Sequence, residues 1–127
     1  MQLELTENQI HNAIADYLNT VIKRPSRWHT VEVSNQAKGK AAMFKQMALK
    51  RRGVVTGWPD IEIFWMQEEE FGGEVVLYII FLEVKTAKGK LTEKQEALHK
   101  ELKEDGHYVY VVRSVDDVIQ VLKGKLI

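Results

Sequence analysis

Two acids and a lysine stand where a buried sheet should be apolar. The segment Val75-Val-Leu-Tyr-Ile-Ile-Phe-Leu82 is apolar on both faces of a period-2 strand, the pattern of a central strand covered on each side. Glu83 and Lys85 end that run. Being i and i+2, their side chains leave the same face of the pleat. Desolvating a carboxylate and an ammonium there is unfavourable unless something compensates, and a cation with a substrate phosphate would do so. Asp60, at the head of the run Ile61-Glu-Ile-Phe-Trp65, is the second acid. Carboxylates such as Asp60 and Glu83, with the main-chain carbonyl of Val84 beside them, suit a hard cation, Mg²⁺ or Mn²⁺, rather than zinc. A lysine two residues from a ligand, Lys85, can hold an attacking water or offset charge developing on phosphate. Together these are the parts for metal-assisted phosphodiester hydrolysis, with one ion, or with two about 4 Å apart if Glu7 joins the site.

The surrounding pattern supplies elements that would position these groups. Thr6-Glu-Asn-Gln9 fits a capping box, and Ile10, Ala13, Ile14, Tyr17, Leu18, Val21 and Ile22 recur at helical spacing, predicting a helix over about 7–22. Glu7 precedes Ile10 by three and Ile14 by seven, which sets it on the inward stripe at the first turn. There an acid either complements the helix dipole or serves as a further metal ligand. Pro25 breaks the chain, and Trp28-His-Thr-Val-Glu-Val33 reads as a strand running into the turn-prone Ser34-Asn35. A basic helix near 38–51 follows, with Ala41, Ala42, Phe44, Met47 and Ala48 offering an apolar side.

Residues 61–65 and 75–82, joined across Gly72-Gly73, form an expected antiparallel hairpin, which brings Asp60 and Glu83 together at one end. The acidic run 68–70 is expected at the hairpin's other end. Thr92-Glu-Lys-Gln95 is a second capping box, opening a helix with Leu98 and Leu102 inward and Gly106 as its stop. Gln95 therefore reads equally as a cap and as a site residue. His107-Tyr-Val-Tyr-Val-Val112 is a fourth strand, and Ser114-Val-Asp-Asp117 caps a final helix. A strand, helix, strand connection from 75 to 112 implies a parallel right-handed crossover. The expected fold is an α/β mixed sheet with helices on both faces.

The chain has 127 residues, 45% of them hydrophobic, which suits one domain with its own core. It has no cysteine, which excludes disulfides, thiolate zinc sites and cysteine nucleophiles. No window approaches about 20 uninterrupted apolar residues, and no basic-then-apolar leader opens the chain. The expectation is a soluble cytoplasmic protein, of a bacterial or viral intracellular type, with no membrane partner.

A net charge of zero conceals an asymmetry. Lys23, Arg24, Arg27, Lys38, Lys40, Lys45, Lys50, Arg51 and Arg52 share residues 23–58 with one acid, Glu32. Such an excess is the footprint of a phosphate-binding face or of a solvated helix and loop. Lys38, Lys40, Lys45 and Arg52 are the candidates for contact with a nucleic-acid backbone, and Trp28 for base stacking. Trp58 and Trp65 flank core positions and read as structural. There is no phosphate-cradling G-x-x-x-x-G-K-[ST] and no G-x-S-x-G elbow. His11, His29, His99 and His107 lack paired ligand spacing and read as surface or packing residues.

Pro59-Asp60 followed by Glu83-Val-Lys85 resembles the PD-(D/E)xK nuclease superfamily. The wider arrangement is more specific: Gly57-Trp-Pro-Asp60-Ile, Phe81-Leu-Glu83-Val-Lys85-Thr, Gly89-Lys-Leu-Thr-Glu-Lys-Gln95, a helix, then Gly106-His-Tyr-Val-Tyr-Val-Val112 and the Ser114-Val-Asp-Asp helix. It resembles the VRR-NUC family over nearly the whole chain. Glu7, Ser34-Asn35 and Arg52-Gly53 also fall where that family places comparable residues. Trp58 occupies the variable position before Pro59.

The resemblance implies a restriction-endonuclease-like sheet of about four to five strands and a divalent-metal-dependent, structure-selective DNA endonuclease. By position, Asp60 and Glu83 would ligate metal, Val84 would offer its carbonyl, Lys85 would act on water or phosphate, and Glu7 and Gln95 would complete the site. Small stand-alone members look like Holliday-junction resolvases acting as homodimers, which implies a four-way junction as substrate. Flap or other branched-DNA cleavage is the enzymatic alternative. A binding module would keep the basic segment 23–58 and reduce Glu83 and Lys85 to a buried ion pair. A structural protein would pair its basic and acidic halves between copies.

Overall fold

The computed structural model describes residues 4–31, 40–69 and 72–126. Helix α1 (Glu7–Val21) opens on Thr6, whose hydroxyl accepts from the Gln9 N–H while the Gln9 side chain accepts from the Thr6 N–H. That reciprocal cap satisfies two donors the first turn would otherwise leave orphaned. Four residues on, apolar side chains recur at Ile10, Ile14, Leu18 and Ile22, and all four are buried. Burial of a side chain such as Ile14 or Leu18 is worth about 1.5–3 kcal/mol.

Strand β1 (Arg27–Thr30) leads towards helix α2 (Lys40–Arg51), which is followed by strands β2 (Ile61–Glu68) and β3 (Val75–Val84). Helix α3 (Glu93–Glu104), strand β4 (Tyr108–Val112) and helix α4 (Val115–Leu126) complete the order. The strands form one sheet, β1-β2-β3-β4. β2 pairs antiparallel with β1 and β3, whereas β3 and β4 run parallel. The expected hairpin is β2–β3, its loop end held by the Glu69 N–H on the Glu74 carbonyl.

The two sheet faces are chemically different. Ile61 and Ile63 of β2, Ile80, Leu82 and Val84 of β3, and Val112 of β4 lie under α1 and α4, making the main core with Val118 and Leu122. The opposite face carries Phe81 and Val109 against Leu98 and Leu102 of α3, with Trp58 and Ile79 beside them. Glu83 follows Phe81 by two, so it shares this second face. α3 ends at the Asp105 cap, where Gly106 takes φ +94 and lets the His107 N–H reach the Leu102 carbonyl. α4 is capped as expected, its Asp117 N–H donating to the Ser114 hydroxyl.

Trp28 lies on the core face of β1 and packs, half-buried, against the main core. One expectation needs correction, for the apolar side of the basic helix is exposed: Phe44 is 66% and Met47 61% exposed, and Met43, Ala41 and Ala48 are also exposed. The expected strand end over 32–33, the Ser34-Asn35 turn and Lys38 lie outside the described residues.

Candidate active site

The β2–β3 register pairs Ile61 with Leu82. One step further along the same register sets Asp60 opposite Glu83, on the α3 side of the sheet. Asp60 is fixed from both sides, for its carbonyl accepts from the Val31 N–H at 2.7 Å and its Oδ2 accepts from the Val84 N–H at 2.8 Å. Gly57 determines how the preceding loop arrives. Its φ is +85, and a Cβ there would meet backbone atoms of Lys94 and Gln95 at 3.3 Å. The Gly57-Trp-Pro-Asp60 loop thus lies directly on the first turn of α3, a close approach that a side chain would obstruct.

Glu83 is 1% exposed. Burial, a hydrogen bond with Asp60 and the charge of that acid push its carboxyl up to about 9, against the smaller opposing pull of Lys85. Two carboxyl groups forced together away from water cannot both ionise cheaply, so without a cation Glu83 keeps its proton. Its Oε1 also lies 3.3 Å from Nε2 of His99, itself 5% exposed. Burial holds the His99 pKa below its ordinary range, assisted by the charges of Lys103 and Lys85.

Lys85 is half-buried just beyond the end of β3, its N–H bonded to the Val112 carbonyl at 3.1 Å. The following turn is held from β4's end, where Arg113 Nη1 donates to the carbonyls of Thr86 at 2.5 Å and Gly89 at 2.7 Å. Gln95 caps α3: its amide oxygen accepts from the Thr92 N–H at 2.9 Å, and its own N–H donates to the Thr92 hydroxyl. Glu7 is exposed at the start of α1, and its charge adds to the upward shift of Glu83. Among the described residues, no three His, Asp or Glu side chains converge closely enough to hold an ion alone. Mg²⁺ does not need them to, since it ordinarily takes one or two carboxylates and completes its shell with waters and substrate phosphate. Two facing carboxyl groups, Glu83 buried and Asp60 half-buried, supply the oxygen ligands that such an ion takes.

Lys45 is half-buried on α2 and Arg52 is exposed just after it. The backbone of Lys40 begins α2. From Arg52 the chain runs through Gly53 and Gly57 straight into Pro59-Asp60.

Three residues at or beside the site escaped the sequence reading. His99, expected to be a surface or packing residue, is buried against Glu83; the available signal was a polar residue at i+4 from Gln95 on the inward stripe of α3. Glu62 follows Asp60 by two and shares its face. It accepts from the Trp58 indole at 2.6 Å and contacts His29 Nε2 at 2.6 Å, tying the Trp58 loop to β1. Arg113 carried no signal, because its partners are carbonyls of a distant turn.

Residues 5–116 match the family model of the VRR-NUC domain. The chain belongs to the VRR-NUC domain family, whose members are generally nuclease domains. A solved structure described as a VRR_NUC domain protein superposes with a TM-score of 0.65 at 22% identity, covering 95% of this chain and 88% of that one. That likeness bears on the fold. The curated proteins contain no match. Among the described residues, no helix is long and apolar enough to cross a membrane.

Proposed function

We propose that this domain is a divalent-metal-dependent, structure-selective DNA endonuclease that resolves four-way junctions as a homodimer. The observation that carries the reading is the pairing of Asp60 with Glu83, two acids set face to face at the joined ends of β2 and β3, with Glu83 buried. A fold that merely needed stability would be better served by apolar residues there.

Asp60, Glu83 and the Val84 carbonyl would hold Mg²⁺ or Mn²⁺, with Glu7 available to a second ion. Bound there, the cation supplies a lowered water pKa and neutralises charge on the scissile phosphate. Lys85 directs its ammonium to the attacking water or to the phosphate oxygens, where fixed positive charge is worth more than it is in bulk water. Gln95 lies in the first turn of α3 beside the Gly57 loop, and with its amide oxygen engaged in the cap its part in the site would fall to the amide NH2. The cationic side chains of Lys45 and Arg52, together with Lys38 and Lys40, bind backbone phosphates on the approach to Asp60. A four-way junction presents two symmetry-related strands, so a chain carrying one such site cuts both when two copies act together.

The test is cleavage of labelled four-way, flap and linear DNA by the purified protein with Mn²⁺ or with EDTA, mapping each cut. Paired symmetric nicks on the junction, dependent on metal and lost in Glu83→Ala and Lys85→Ala, are the expected result. Products made equally in EDTA, or by both variants at the wild-type rate, would refute the site.

A further inference from the structure

We propose that His99 is the positioning residue of this site, its Nε2–H donating to the Glu83 carboxyl and fixing the orientation in which that group faces Asp60. The inference rests on the metal-dependent reading above and deepens it. Glu83 is buried, so water does not orient it; its described partners are Asp60 and, at 3.3 Å, His99 Nε2. Asp60 brings negative charge, which by itself would drive the Glu83 carboxylate away once its proton is lost to a cation. His99 Nε2, 3.3 Å from Oε1, is the donor that holds it in place. His99 reaches Glu83 from α3, an element capped by Thr92 and Gln95 and braced on the Gly57 loop, so the donor rides on the element that also positions Gln95.

The chemistry of the ring agrees. A neutral imidazole has one N–H and one bare nitrogen. Glu83 in the ionised form that would ligate a cation is acceptor-only, so a hydrogen bond between its Oε1 and Nε2 at 3.3 Å requires the imidazole hydrogen on Nε2. Carboxylates that ligate a metal are in turn held by hydrogen-bonding partners, whose loss changes metal affinity or activity by about 10–100-fold. His99 also lines a cavity of about 250 Å³ with Lys100, Lys103, Val109 and Val111, so substitutions there have space to be accommodated.

The experiment compares the full chain with His99→Leu and His99→Gln. Mn²⁺ affinity is measured calorimetrically without DNA, and long-range ¹H–¹⁵N spectra of the Mg²⁺-bound protein report the histidine tautomer. His99→Leu is expected to weaken Mn²⁺ binding about 10–100-fold, His99→Gln to recover most of it through its amide donor, and wild-type His99 to show the Nε2-protonated tautomer. Unchanged Mn²⁺ affinity in His99→Leu, or an Nδ1-protonated ring, overturns the proposal while leaving the metal site standing. A wild-type protein that binds no Mn²⁺ overturns the metal reading and the positioning role with it.

Discussion

The main-chain N–H of Val84 donates to Oδ2 of Asp60 at 2.8 Å. The residue between Glu83 and Lys85 therefore holds the side chain of the acid that precedes β2, while the Val31 N–H holds its carbonyl. Pre-organisation of this kind is stored in the fold and needs no cation to create it.

Asp60→Asn separates the geometric and electrostatic roles of this acid. Asparagine keeps an oxygen for Val84 but removes the charge confronting Glu83. Junction cleavage is expected to fall by about 100-fold or more, the scale on which loss of one pre-organised polar group acts. The melting temperature in EDTA at neutral pH should be unchanged or slightly lower, because Glu83 already carries its proton there and the exchange weakens only its hydrogen bond with Asp60. Cleavage at the wild-type rate would show that Asp60 is not part of the chemistry.

How much of this was legible in the sequence follows from the range of the signals. The caps at Thr6 and Thr92 and the hairpin across Gly72-Gly73 are local patterns, and each appears where it was read. The meeting of Asp60 and Glu83 was legible because antiparallel pairing makes one end of a hairpin a single place. His99 was not legible, since its partner lies on β3 and only the crossover geometry brings the two together. The exposure of Phe44 and Met47 was hidden for the opposite reason: spacing tells which side of a helix is apolar, not whether anything covers it.

Glu83 gives the metal-free protein a pH signature. The unfolded carboxyl releases its proton near 4.5, whereas the folded one holds it to about 9, so between those values the folded state binds more protons. Stability then falls as pH rises through that window, its full contribution present only below 4.5. His99, whose pKa is lowered from 6.5, loses its contribution as pH falls, so the Glu83 effect is cleanest above about pH 7. In EDTA the melting temperature should decline from about pH 7 to pH 9, and Glu83→Gln should flatten the decline. Added Mn²⁺ should raise the melting temperature more at the upper end, because it binds the deprotonated site. A flat wild-type profile would contradict the burial of a paired acid.

Gly57→Ala tests the loop that delivers Asp60. Alanine would have to adopt φ +85 with its Cβ 3.3 Å from backbone atoms of Lys94 and Gln95. The left-handed conformation alone costs about 1–2 kcal/mol for a residue with a side chain, and neither neighbouring atom belongs to a flexible side chain. Chemical denaturation should show a loss of at least that size. Gly53→Ala, at φ +90 with nothing near the added Cβ, is the control for conformation without contact. Cleavage should drop in Gly57→Ala and stay near wild type in Gly53→Ala. Equal effects of the two substitutions would mean that the α3 contact does not position Asp60.

Lys45 and Arg52 test the basic segment separately from the chemistry. Neither is close in sequence to the paired acids, and both carry charge on the stretch that leads into Pro59-Asp60. If they meet backbone phosphates, Lys45→Ala and Arg52→Ala should weaken binding of junction DNA in EDTA regardless of its sequence. Each should also lower the slope of log affinity against log salt by about 0.9, the value for one lost phosphate contact. Single-turnover cleavage at saturating protein should be much less affected than affinity, since the acids and Lys85 are untouched. Fluorescence anisotropy over a series of salt concentrations reads both quantities. Slopes identical to wild type would place these cations in solvent and move the DNA path to another face of the domain.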